Sequence, residues 1–141
     1  MLKGNVGHVL FSRMIEGEDL FETIGKRMKE NNVKAGVFFA IGMVKQAVLG
    51  YLKDSQYKST TFAGPLEIAS CMGNAALDEN GETVIHAHMV VSNEKGEAFG
   101  GHLMKGCPVG VTAELVIIEA SGVNLLRMFD EKTKLKLWKL T

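Results

Sequence analysis

Two tetrapeptides constrain this chain more than any other feature: Asp78-Glu79-Asn80-Gly81 and Asn93-Glu94-Lys95-Gly96. Each runs Asx, two polar residues, Gly, and each lies between β-prone apolar stretches. That is the pattern of a type I turn followed by a left-handed glycine, the three-residue hairpin loop with a G1 bulge. Two consecutive hairpins follow. Leu66 to Asp78 returns as Glu82 to Val91, and that strand returns as Glu97 to Met104.

The rest of the chain fits an α+β architecture, a mainly antiparallel sheet flanked by helical structure. Glu18 to Asn31 reads as a helix: Leu20, Phe21, Ile24 and Met28 form one apolar stripe, Lys26, Arg27, Lys29 and Glu30 take the wet side, and Asn31 and Asn32 end it. Val33 to Ile41 and Val44 to Leu52 read as strands separated by Gly42, and Tyr57 to Phe62 as a strand ended by a Gly64-Pro65 turn. Thr112 to Ala120 and a strand pair around Asn124 to Trp138 complete the sheet. At 141 residues, with no Pro- or Ser-rich linker, repeat or low-complexity tract, residues 1–141 read as a single domain.

Composition removes several classes. With 46% apolar and 23% charged residues the chain is neither disordered nor fibrous. Its apolar runs, such as Ala35 to Val44, are broken well short of the ~20 residues of a membrane helix. Met1-Leu2-Lys3-Gly4-Asn5 lacks the basic start and apolar stretch of a signal peptide, and two cysteines, Cys71 and Cys107, make no disulfide framework. A reducing, cytoplasmic setting is the expectation. Sixteen Lys and Arg balance sixteen Asp and Glu, so the basic excess of an independent duplex-DNA binder is missing. Lys132, Lys134, Lys136 and Lys139, alternating with Leu135 and Leu137, read as one face of a solubilised edge strand.

The histidines carry the chemistry. His86 and His88 are two apart on one predicted strand, so their imidazoles share a face. Pairing Asn93 with Glu97 places His102 opposite His88, with Cβ atoms roughly 4.5–5.5 Å apart. Three neutral imidazoles so placed can hold a divalent ion at ~2.0–2.1 Å per bond and leave a fourth position open. Nitrogen donors without a carboxylate cluster select Zn2+, or another divalent transition metal, over magnesium and calcium. Pairing Asp78 with Glu82 sets Asn74 opposite His86, as a hydrogen-bonding partner for a ligand imidazole, and turns Cys71 to the other face; Cys107 also has the wrong parity for a ligand if the strand runs on past Gly106. His8 reads as an ordinary solvated or hydrogen-bonded side chain. Gly100 and Gly101, inside a strand, mark a bulge or the close approach of a ligand or backbone.

Arg13 with Gly17-Glu18-Asp19-Leu20, Ile41-Gly42, Gly64-Pro65-Leu66-Glu67-Ile68, Gly73-Asn74, His86-Ala87-His88 and Gly100-Gly101-His102-Leu103, in that order, resemble the plants-and-prokaryotes-conserved (PPC) domain in its stand-alone archaeal and bacterial form. The resemblance implies an antiparallel sheet flanked by helices and a homotrimer. It also implies DNA binding, because plant members are nuclear DNA-binding proteins; their AT-hook, a Pro-flanked Arg-Gly-Arg, has no counterpart here. His-x-His followed by Gly-Gly-His is also distantly similar to the zinc site of acetolactate decarboxylase, which implies His86, His88 and His102 as ligands. Glu67 and Glu114 are the candidate proton carriers beside such a site. Three functions stand open at this point: a trimeric metalloprotein with a small anionic or carbonyl ligand, which includes a zinc-dependent decarboxylase or hydrolase; a DNA-associated module; and an assembly scaffold pinned by metal.

Overall fold

The structure is a computed structural model and describes residues 1–140. Its elements in chain order are β1 (Asn5–Ile15), α1 (Leu20–Glu30), β2 (Gly36–Lys53), β3 (Gln56–Leu77), β4 (Thr83–Ser92), β5 (Ala98–Leu103), β6 (Val109–Ser121), β7 (Leu126–Asp130) and β8 (Leu135–Lys139). All eight strands join one sheet, antiparallel throughout except at the single β3–β7 pairing, Leu77 to Leu126. The expected flanking helices reduce to one, so the fold is mostly β.

Both hairpins form in the expected register. Met72 pairs with His88 and Asn74 with His86, while His88 pairs with His102. The turn chemistry is that of the sequence pattern: Asp78 Oδ1 accepts from the N–H groups of Asn80 and Glu82, Asn93 Oδ1 from those of Lys95 and Glu97, and Gly81 and Gly96 have φ of 78° and 76°. A left-handed φ of that kind costs an L-residue with a Cβ roughly 1–2 kcal/mol, and glycine almost nothing.

The helix begins at Leu20 rather than Glu18, because Asp19 is its N-cap and accepts from the Glu22 N–H through Oδ1. The other Asp19 oxygen accepts from the N–H groups of Gly106 and Cys107, which ties the helix start to the segment after β5. Leu20, Thr23, Ile24 and Met28 are buried against the sheet, with Phe21 packed at the edge of that contact. Their sheet-side partners include Met14, Phe38, Leu115, Ile117, Met89 and Leu103. The core therefore lies on one face of the sheet, between it and α1.

The strands depart from the sequence reading at four places. Gly42 does not separate two strands: β2 runs through it with φ of +134° at a register irregularity, where an added Cβ would collide with the Thr112 carbonyl oxygen. Nor does Gly64-Pro65 end a strand. Proline falls where the β2–β3 register slips between Val44 and Gln46, so its missing N–H costs no ladder bond. β1 is a further strand that the alternation of polarity does not reveal, since Val9, Phe11 and Ile15 point outward and are exposed. At the other end, Lys134 occupies the β7–β8 turn with φ of 60°, so the four lysines do not share one strand face.

Strand β2 is long enough to have different neighbours along its length. Its first half pairs with β6 on one side and β3 on the other; its second half pairs with β5, Gly50 against His102. β2, β3, β4 and β5 thus close a ring. That closure brings Tyr57, at the start of β3, onto the imidazole of His102.

Candidate metal centre

On the face of the sheet away from α1, one row of mutually paired residues runs Phe11, Val116, Phe39, Met72, His88, His102 across six strands. His86 lies one pleat along, beside Asn74. The three rings converge: centroids are 5.3 Å apart for His86 and His88, 5.0 Å for His86 and His102, and 5.5 Å for His88 and His102. One nitrogen from each lies within 4.8 Å of the other two. A tetrahedral ion with ~2.0–2.1 Å bonds spaces its ligand atoms about 3.4 Å apart, which is of the same order as this spread.

Electrostatics favours the unprotonated rings that a metal requires. Burial pushes His102 down to about 4, with His86, His88 and Arg127 adding repulsion. His86 is also lowered, first by burial and then by Arg127 and His88. Both are neutral at pH 7. His102 Nδ1 is buried with no hydrogen-bond partner among the described residues, and its ring stacks on Tyr57 at 4.3 Å between centroids. An orphaned imidazole nitrogen among two others fits a metal, and the all-nitrogen donor set fits a borderline-soft divalent ion.

Gly50 makes the Tyr57 contact possible, since a Cβ there would come within 3.0 Å of Tyr57 Cδ1 and 2.9 Å of Met104 Sδ. Gly101 answers the close approach expected of a strand glycine, but the neighbour is backbone: its Cβ would stand 2.9 Å from the Gly50 carbonyl oxygen. Gly100 faces Val90.

The remaining sequence candidates fall in different places. Asn74 does not bond a histidine directly; its Oδ1 accepts from Arg127 Nη2 at 2.8 Å, and the same nitrogen approaches His86 Nδ1 to 3.4 Å. Glu67 shares the histidine face but pairs with Ser92, four residues along β4 from His88, or about 13 Å. Glu114 pairs with Arg13 and Ile41, three strands away from β4. Neither lines the histidine cavity. Cys71 is buried on the opposite face, and Cys107 is buried with Sγ between Val48 and Met104. His8 pairs with Glu119 at 2.9 Å, far along the sheet.

Arg127 is the neighbour of the cluster that spacing arguments miss. It comes from β7, 41 residues beyond His86, and is 8% exposed. It lines a cavity of about 230 Å³ together with Tyr57, His86 and His102. Its only sequence signal is an arginine set between Leu125-Leu126 and Met128-Phe129, a charge inside an apolar run.

The structure is that of a small, mostly antiparallel β protein with a three-histidine cluster on one sheet face. The chain belongs to the Plants and Prokaryotes Conserved (PCC) domain family, whose model matches residues 1–121. It is 32% identical to the metal-containing protein AF0104 from Archaeoglobus fulgidus, with a TM-score of 0.90 over 99% of this chain and 98% of that one. It is 31% identical to a plant- and prokaryote-conserved (PPC) protein from Pyrococcus horikoshii, with a TM-score of 0.91 over 100% and 99% of the two chains. A curated relative, Bifunctional protein GlmU of Synechococcus sp. (strain JA-3-3Ab), is 30% identical over 122 residues, 86% of this chain; the match spans only 18% of that protein. More distant structures share the fold alone. They include a "putative DNA binding protein" from Bacteroides thetaiotaomicron, at 20% identity and TM-score 0.86 over 96% and 94% of the two chains. Acetolactate decarboxylase from Bacillus subtilis subspecies spizizenii is 14% identical, with TM-score 0.52 over 89% of this chain and 57% of that one. Among the described residues no helix is long and apolar enough to cross a membrane.

Proposed function

We propose that His86, His88 and His102 hold one divalent transition metal, with zinc the ion the donor set selects, and that the protein works as a homotrimer presenting this centre to a small ligand. The observation that carries the reading is the convergence of three ligand nitrogens within 4.8 Å on one sheet face, two of them on rings held neutral at pH 7. The name of the Archaeoglobus relative, a metal-containing protein, supports it. When bound, a three-histidine zinc keeps an open position where it can polarise a carbonyl or lower the pKa of a water. The chain's own residues supply the rest: β4 and β5 orient the rings, Tyr57 covers His102, and Arg127 places a positive charge at the cavity wall.

The trimer is supported by the face on which the centre lies. Phe11, Phe39 and Met72 are 78%, 42% and 53% exposed in the row that continues to His88 and His102, and Val37 and Ile41 extend the patch. A contiguous apolar surface of this kind is what assembly covers.

Metal analysis of protein purified without chelator tests the reading. Close to one equivalent per chain is expected, and almost none in His88→Ala. A full equivalent retained in that variant removes the site. The alternative, a DNA-binding module, is supported by the family resemblance, but the zero net charge opposes it. Titration with duplex DNA at low salt is expected to show no binding, and salt-sensitive micromolar binding would restore that alternative.

A further inference from the structure

The cavity beside the histidines contains a buried cation that no described residue balances. Arg127 is 8% exposed, yet among residues 1–140 its polar neighbours are the Lys136 carbonyl, the Asn74 side chain and His86 Nδ1, none of them anionic. Its Nε has no partner among the described residues. Among the described residues no carboxylate pairs with Arg127, whose side-chain partners are neutral. Lys136, the other cation at this wall, already faces Asp78 and Glu79. Trp138 holds the guanidinium in place, with Cζ 5.6 Å from the ring centroid. A buried guanidinium is costly unless an anion accompanies it.

The histidines sharpen the point. A guanidinium only donates, so its contact with His86 requires an unprotonated Nδ1 and a proton on Nε2. If His86 holds a metal through Nε2, the proton moves to Nδ1; if through Nδ1, the lone pair is taken. Either way Arg127 loses that partner. A divalent ion adds positive charge to a wall that already lacks a counter-charge.

We infer that this cavity binds a small carboxylate, with its carboxylate group on Arg127 and the remainder of the molecule toward the three histidines. The inference rests on the metal-centre reading for the second contact, but the first belongs to Arg127 alone. The volume, about 230 Å³, is below the ~300 Å³ where sites for drug-sized ligands begin, so the ligand is short. Val84, Ile85, Leu135 and Leu137 line the same space and suit an alkyl portion, which a carboxylic acid has and inorganic phosphate does not. The guanidinium comes from β7, outside the residues that the family model matches.

Calorimetric titration of pyruvate into the zinc-loaded full chain, with zinc measured on every sample, tests the inference. Saturable one-to-one binding is expected, at least tenfold weaker in Arg127→Gln, with inorganic phosphate at least tenfold weaker than pyruvate in the wild type. Asn74→Asp covers the case where loss of the arginine unfolds the chain. It places a carboxylate on the existing 2.8 Å contact, so it should raise the melting temperature and weaken pyruvate binding at least tenfold. Equal pyruvate affinity in wild type, Arg127→Gln and Asn74→Asp overturns the inference, as does tighter binding of phosphate. A chain that holds zinc but binds no pyruvate also overturns it, while leaving the metal reading intact. If the chain holds no zinc, the metal reading fails by itself, and the same Arg127 and Asn74 comparison on metal-free protein decides the anion site.

Discussion

His88 stands directly opposite His102 on neighbouring strands, with ring centroids 5.5 Å apart and ring planes at 89°. The loop at residues 93–96 sets this pairing, through two bonds to Asn93 Oδ1 and the left-handed φ of Gly96. A Cβ at Gly96 meets nothing within 4 Å, so Gly96→Ala is penalised by backbone conformation alone. The expected loss is about 1–2 kcal/mol, a fall in Tm of about 3–8 °C for a chain of this size. Thermal melting followed by circular dichroism checks it. Metal content should be kept, because the register is unchanged.

Asp19 links the helix to the segment that follows His102. Asp19→Ala removes the helix cap and strands the Gly106 and Cys107 N–H groups, at a cost of about 2–4 kcal/mol. Asp19→Asn keeps the Oδ1 acceptor but turns an amide NH2 toward those two donors, so it should recover little. Urea denaturation of both variants measures this. An Asp19→Asn protein as stable as the wild type would show that the Oδ2 contacts contribute nothing.

The lowered histidines give stability a definite pH dependence. His102, at about 4, and His86, also below its usual value, take up protons in the unfolded chain before they do in the folded one. Stability is therefore flat above about pH 6.5 and falls as pH drops from there toward 4. Carboxylates held low by hydrogen bonds, such as Asp78 and Asp130, act in a more acidic range. Urea midpoints of the metal-free chain at half-unit pH intervals should show the decline, and His102→Gln should shrink it. A midpoint that rises on acidification between pH 6.5 and 4 contradicts the assignment.

The exposed apolar row predicts a surface-charge effect on assembly. Phe39→Glu places a carboxylate at the middle of that row, between Val116 and Met72. Light scattering should give three chain masses for the wild type and one for the variant. The side chain is 42% exposed, so the fold itself should survive, with an unchanged circular dichroism spectrum.

The parts of this structure legible in the sequence are those set by local chemistry. The helix is announced by its apolar stripe and by Asp19 and Asn31 at its ends, and the histidine cluster by two turns whose geometry depends on four residues each. What the chain does not announce is set by distant contacts. β1 lacks an alternating pattern because its outward side chains are apolar as well. Gly42 and Pro65 look like strand breakers and are absorbed into bulges, because the neighbouring strands supply the register shift. Arg127 reaches His86 through one parallel pairing, Leu77 with Leu126, which no local periodicity encodes.

Anomalous diffraction recorded on either side of the zinc absorption edge, from crystals of protein purified without added metal, tests the central claim most directly. The account predicts a single strong peak per chain, bonded to one nitrogen each from His86, His88 and His102. A chain that carries zinc elsewhere, with those three rings separately hydrogen-bonded and no density between them, would contradict it.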